Sequence, residues 1–99
     1  MAERLTYEDF ADRVGEAFAL TAADGDTLEL ELADAALLPQ ANRVPGGREP
    51  FSLLFHGSGE RYAPQGTWRV EHDELGALEI FLVPLGPEDG VMRYQAVFA

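Results

Sequence analysis

The chain predicts a mainly β fold with one N-terminal α-helix, arranged as an antiparallel six-strand sandwich or a small barrel. Three observations carry that expectation. Only residues 7–14 show a helical period; after Gly15 the apolar spacing changes to two, the period of strands. Two acidic, glycine-closed turns, Ala23-Asp24-Gly25 and Glu74-Leu75-Gly76, each divide a pair of alternating segments. The 99 residues, 46% hydrophobic and 10% aromatic, are enough for one domain with a dry core.

The helix is expected over about residues 7–14. Thr6 precedes it as a cap, and Asp9 stands where a capping box places its acid. Glu8 and Asp9 lie at the end of the helix dipole that favours negative charge. Tyr7, Phe10 and Val14 form a narrow apolar stripe, and Gly15 suits a left-handed termination.

Strands follow at about 16–22, 27–33, 51–56, 67–72, 77–83 and 93–98. In the second, Leu28, Leu30 and Leu32 alternate with Glu29 and Glu31, which describes a strand wet on one side. That alternation selects the turn before it. A two-residue Asp24-Gly25 turn would pair Leu20 with Glu29, whereas the three-residue loop pairs Leu20 with Leu28 and Phe18 with Leu30. The same logic at Glu74-Leu75-Gly76 pairs Val70 with Ile80 and Trp68 with Leu82. Pro39 to Pro50, with Pro45, Gly46 and Gly47, reads as the longest connection, running over the surface. The strand at 77–83 is apolar on both sides: Leu78, Ile80 and Leu82 on one, Phe81 and Val83 on the other. Its second face must meet the helix or another subunit.

Composition excludes several functions. No cysteine is present, so disulfide scaffolds and thiol chemistry are out. Eighteen acidic residues against seven basic ones, all arginine, give a net charge of -11, which disfavours nucleic acid and anionic membranes as partners. No apolar run approaches a membrane span of roughly 20 residues. Met1 to Tyr7 lacks the basic end and apolar middle of a signal peptide, so a cytoplasmic location is expected, with release inside an assembly still open.

Several stretches have a familiar pattern: Glu49-Pro50-Phe51-Ser52-Leu53-Leu54-Phe55, Pro64-Gln65-Gly66-Thr67-Trp68-Arg69-Val70-Glu71-His72, Leu75-Gly76-Ala77-Leu78-Glu79-Ile80-Phe81-Leu82-Val83-Pro84 and Met92-Arg93-Tyr94-Gln95-Ala96-Val97-Phe98. With Leu5-Thr6-Tyr7-Glu8-Asp9-Phe10 they resemble, over nearly the whole chain, a small bacterial family defined only as a domain of unknown function. The resemblance brings no catalytic residues. It implies single-domain bacterial proteins, sometimes encoded beside phage-tail-collar or tail-fibre-like proteins, and hence an accessory or structural role in an assembly.

The chemistry-bearing residues offer few convergent sets. Glu71-His72-Asp73 contains an orientable base, and His56 with His72 could share a metal if their strands were neighbours, but a zinc site needs three or four close ligands. Gly57-Ser58-Gly59 lacks the following helix of a nucleophile elbow. Asp24 and Asp26 around Gly25, and Glu88-Asp89-Gly90, are explained by turn formation without a calcium ion. Arg43, Arg48, Arg61, Arg69 and Arg93 suit salt bridges to the many carboxylates.

By subtraction, the chain reads as a non-catalytic protein-interaction or structural module, without a cofactor, whose partner is another protein or a second copy. Tyr62 with the adjacent Arg61, and Phe81 with Val83 on the spare apolar face, are the expected contact residues. The alternative is a small-ligand-binding barrel whose mouth is lined by Arg61, Tyr62, Trp68 and His72. A third reading is an enzyme using His72 with Glu71 or Asp73.

Overall fold

The computed structural model describes residues 6–22, 25–38, 50–59 and 63–98. They form one short helix, α1 (Tyr7–Ala11), and six strands: β1 (Ala17–Thr21), β2 (Thr27–Leu37), β3 (Phe51–Ser58), β4 (Gly66–His72), β5 (Gly76–Glu88) and β6 (Val91–Phe98). The strands close into an antiparallel barrel in the order β1-β2-β3-β6-β5-β4. Two three-strand meanders, β1-β2-β3 and β4-β5-β6, are thus sewn together along β3·β6 and β1·β4. Of the two expected architectures the chain adopts the barrel, in which every strand pairs with a neighbour on each side over part of its length.

Alternation decides which side chains enter it. Phe18 and Leu20, Leu30 and Leu32, Phe51, Leu53 and Phe55, Val70, Ile80 and Leu82, and Tyr94 and Ala96 are buried. Leu28 and Trp68 are half-buried and pack against them. Glu29, Glu31, Glu71 and Glu79 face water on the other side of the same strands.

Each end of the barrel has its own stopper. At the end where β1 and β3 start, α1 inserts Phe10, whose ring centroid lies 5.8 Å from Phe51, 5.9 Å from Phe98 and 6.4 Å from Phe18. The helix begins where Asp9 Oδ2 accepts the Thr6 backbone N–H at 2.8 Å. It stops at Ala11, short of the expected residue 14, and Val14 is exposed. Arg13 N–H instead reaches Phe10 O and Gly15 N–H reaches Leu32 O, so the chain turns early onto β2. Gly15, with φ of 96°, makes that turn. At the opposite end Ala63 is buried, its N–H donated to the Tyr94 hydroxyl at 3.0 Å. Beside it the Trp68 indole N–H is donated to Pro64 O at 2.9 Å.

The first hairpin has the expected register, Leu20 opposite Leu28 and Phe18 opposite Leu30, with Gly25 at φ of 90°. The residues Ala23 and Asp24 of its loop lie outside the described residues, as does the connection 39–49. In the second hairpin the register differs: Val70 faces Leu78, Trp68 faces Ile80 and His72 faces Gly76. The loop is Asp73-Glu74-Leu75, two positions away in register from the one expected, so every side chain keeps its face. The cause is His72, whose Nδ1 accepts the N–H groups of Glu74 and Leu75 and so starts the turn one residue earlier.

Two strands run further than expected. β2 continues past residue 33 through a bulge between Leu32 and Asp34, and β5 past residue 83 through a bulge between Pro84 and Gly86. Bulges bend long strands around a narrow barrel. Beyond Leu82, β5 pairs only with β6, which leaves one side without ladder bonds and tolerates Pro84 and Pro87. Asp89 and Gly90, both at positive φ (55° and 79°), then form the two-residue turn into β6.

Candidate functional site

The outer wall of the barrel carries what the interior does not use. On β5, Phe81 points outward opposite Thr67 and is 50% exposed, and Val83 lies outward opposite Gln95. Across β6 and β3, Val97 stands opposite Ser52 and is 56% exposed, while Leu54 is half-buried opposite Gln95. Around the exposed Gln95, Phe81, Val83, Val97 and Leu54 thus put four apolar side chains on the outer face of three adjacent strands. Helix α1 does not cover it, because α1 is committed to the end of the barrel through Phe10. Of the four expected contact residues, Phe81 and Val83 share this face; Arg61 and Tyr62 lie outside the described residues. The outward position of Val97 was legible in the alternation of 92–98, but its place on a strand next to that of Phe81 depends on β5 and β6 being paired.

A second region surrounds His72. Its imidazole is buried against Phe18, with ring centroids 4.6 Å apart. Its Nε2 lies 2.7 Å from Glu16 Oε1, and its Nδ1 is taken by two turn amides at 3.0 and 3.2 Å. The partner is thus Glu16 and neither Glu71 nor Asp73; Glu71 turns outward to pair with Arg69 at 3.0 Å. In this arrangement no imidazole lone pair is open to a substrate. Trp68 and His72 both point inward on β4, four residues or about 13 Å apart along the strand, and so serve opposite ends of the barrel. They do not line one mouth.

Two shallow outer grooves, of about 700 and 680 Å³, meet over β1 and β2 and share Ala17, Thr27 and Glu29. Glu29, Glu31 and Glu71 are among their lining residues, with the small Ala17, Ala19, Gly57 and Gly76. His56 lies on the outer side of β3, between Glu31 and Arg93 in the ladders. β3 and β4 are not neighbours, so His56 and His72 share no ligand position. Ser58 ends β3, and the next described element is the strand β4; residues 60–62 between them lie outside the described residues. Arg93 approaches Glu88 at 3.6 Å, and Arg13 pairs with Glu74 at 3.0 Å.

A family model described as a domain of unknown function (DUF6916) matches residues 5–98. The chain belongs to that family. The match takes in the helix, all six strands of the barrel and both regions just described, so the DUF6916 unit is the barrel itself. No curated protein and no solved structure matches the chain.

Proposed function

We propose that this DUF6916 domain is a non-catalytic protein-interaction module that docks through the outer wall of β5, β6 and β3. The observation that carries the reading is the exposure of Phe81 on β5 and Val97 on β6, on the outer face of neighbouring strands whose inner face carries the core. The strands close into one ring, and the contact proposed is made on a face of that ring rather than by adding a strand. Aromatic residues flanked by smaller apolar ones are the usual anchors of such contacts. The commitment of both His72 nitrogens supports a role without catalysis. The net charge of -11 supports protein over nucleic acid or anionic lipid as the partner. An accessory place in a multi-subunit assembly, of the phage-tail kind that the family resemblance implies, is the setting proposed, inside the cell that makes it.

Photo-cross-linking in the producing cell tests this. A cross-linking side chain at position 81 or 97 is expected to yield one discrete protein adduct, and the same group at the exposed Ala17 of β1, across the ring from β6, none. Adducts at all three positions, or at none, combined with a strictly monomeric particle in concentrated solution, would overturn the proposal.

A further inference from the structure

His72 occupies the last ladder position of β4, opposite Gly76, with its side chain 4% exposed. Each ring nitrogen has a fixed task. Two N–H donors, Glu74 at 3.0 Å and Leu75 at 3.2 Å, converge on Nδ1. Donors converge on a lone pair, so Nδ1 carries no hydrogen and the neutral ring holds its proton on Nε2. That proton is directed at Glu16 Oε1, 2.7 Å away.

Three pieces of the fold meet at this ring. The turn Asp73-Glu74-Leu75 is closed by Nδ1. Glu16 leads into β1, and its backbone carbonyl accepts Leu32 N–H at 3.1 Å. The segment leaving α1 is tied to the same turn by Arg13, which bonds Glu74 at 3.0 Å and the Asp9 carbonyl at 2.8 Å.

The geometry points to His72 as a pH-sensitive latch on this end of the barrel, closed when the imidazole is neutral and releasing the 73–75 turn when it becomes imidazolium. An imidazolium has a hydrogen on both nitrogens. On Nδ1 that hydrogen would face two N–H groups with no lone pair between them, and both turn bonds are lost. At Nε2 the bond to Glu16 survives and gains charge assistance. Protonation thus moves the grip of the ring from the turn to Glu16. The charged groups around it are Glu16 before β1, Arg13 after α1, Glu74 and Asp73 in the turn, Glu71 on β4 and Glu29 on β2. Apart from Arg13 all are carboxylates. Asp73 and Gly76 line the same groove as Ala17 and Ala19, so release of the turn reshapes that groove.

The test is an NMR titration of the intact protein from about pH 8 to about pH 5, the range in which histidine changes charge. The ring resonances of His72 and the backbone amides of Glu74 and Leu75 are expected to move with one shared midpoint. Protection of those two amides from solvent exchange should fall about tenfold through it, while that of Leu32 holds. His72→Asn keeps a side-chain oxygen able to cap a turn but cannot titrate, so its turn amides should be flat with pH. The latch is refuted if the ring protonates without moving the two amides, if it stays neutral to about pH 4, or if His72→Asn titrates like the parent. The wild-type titration decides the matter even if that variant fails to fold.

Discussion

Replacing Phe10 by alanine tests whether the N-terminal helix is a lid laid on a finished barrel or part of its core. Phe10 is wholly buried and touches three aromatic rings contributed by β1, β3 and β6. The Phe51 and Phe98 rings beneath it are stacked with centroids 4.7 Å apart. Truncation removes the buried ring and leaves a cavity among rings that are held by strand backbones and cannot close over it. Comparable deletions cost about 3–5 kcal/mol, against a total of about 5–15 kcal/mol for a domain of this size. Urea unfolding followed by Trp68 fluorescence, and independently by circular dichroism, reads the loss as a lower midpoint with little change in slope. Phe81→Ala is the comparison, the same chemical change on the outer wall, and should cost about 1 kcal/mol or less. If Phe10→Ala cost less than about 1 kcal/mol, or no more than Phe81→Ala, the helix would not belong to the cooperative unit and the assignment of its role would be wrong.

Three further outcomes follow from close contacts. A Cβ on Gly59 would lie 2.5 Å from the Gly90 carbonyl oxygen, a backbone atom that cannot swing away, so Gly59→Ala should destabilise by about 1–3 kcal/mol in chemical denaturation. Tyr94→Phe leaves the buried Ala63 N–H without its hydroxyl acceptor; a loss of about 1–3 kcal/mol, with faster exchange of the Ala63 amide, is expected by hydrogen-exchange NMR. Arg69 and Glu71 lie on the outer face, both well exposed, and a double-mutant cycle on them should return a coupling below about 1 kcal/mol that vanishes in high salt.

How much of this was legible in the residues differs from element to element. The β1–β2 register followed from the placing of Glu29 and Glu31, which rules out a one-residue slip, together with the three-residue loop closed by Gly25. The β4–β5 register did not follow, although its glycine looked the same. There the deciding group was the His72 side chain, and a hydrogen bond from a turn amide to an imidazole leaves no trace in polarity or spacing. The ends of β2 and β5 are not legible in the sequence for a related reason. Ala33 and the prolines at 84 and 87 look like terminators locally, but each lies in or just past a bulge, where the ladder on one side has already ended. Of the candidate site, Phe81 and Val83 were visible as surplus apolar residues, whereas Glu16 was missed as the partner of His72. Fifty-six positions separate the two, and no local pattern links them.

The sequence by itself determined which side chains go inside, and with that the β class, the strand count and the acidic exterior, since burial follows polarity and period. Only the tertiary structure decided that the ring closes with β3 on β6 and β1 on β4, that a phenylalanine from the helix seals one end, and that one histidine joins three segments. Those outcomes rest on contacts between residues far apart in the chain, whose free energy depends on distance and orientation, and these exist only once the barrel has formed.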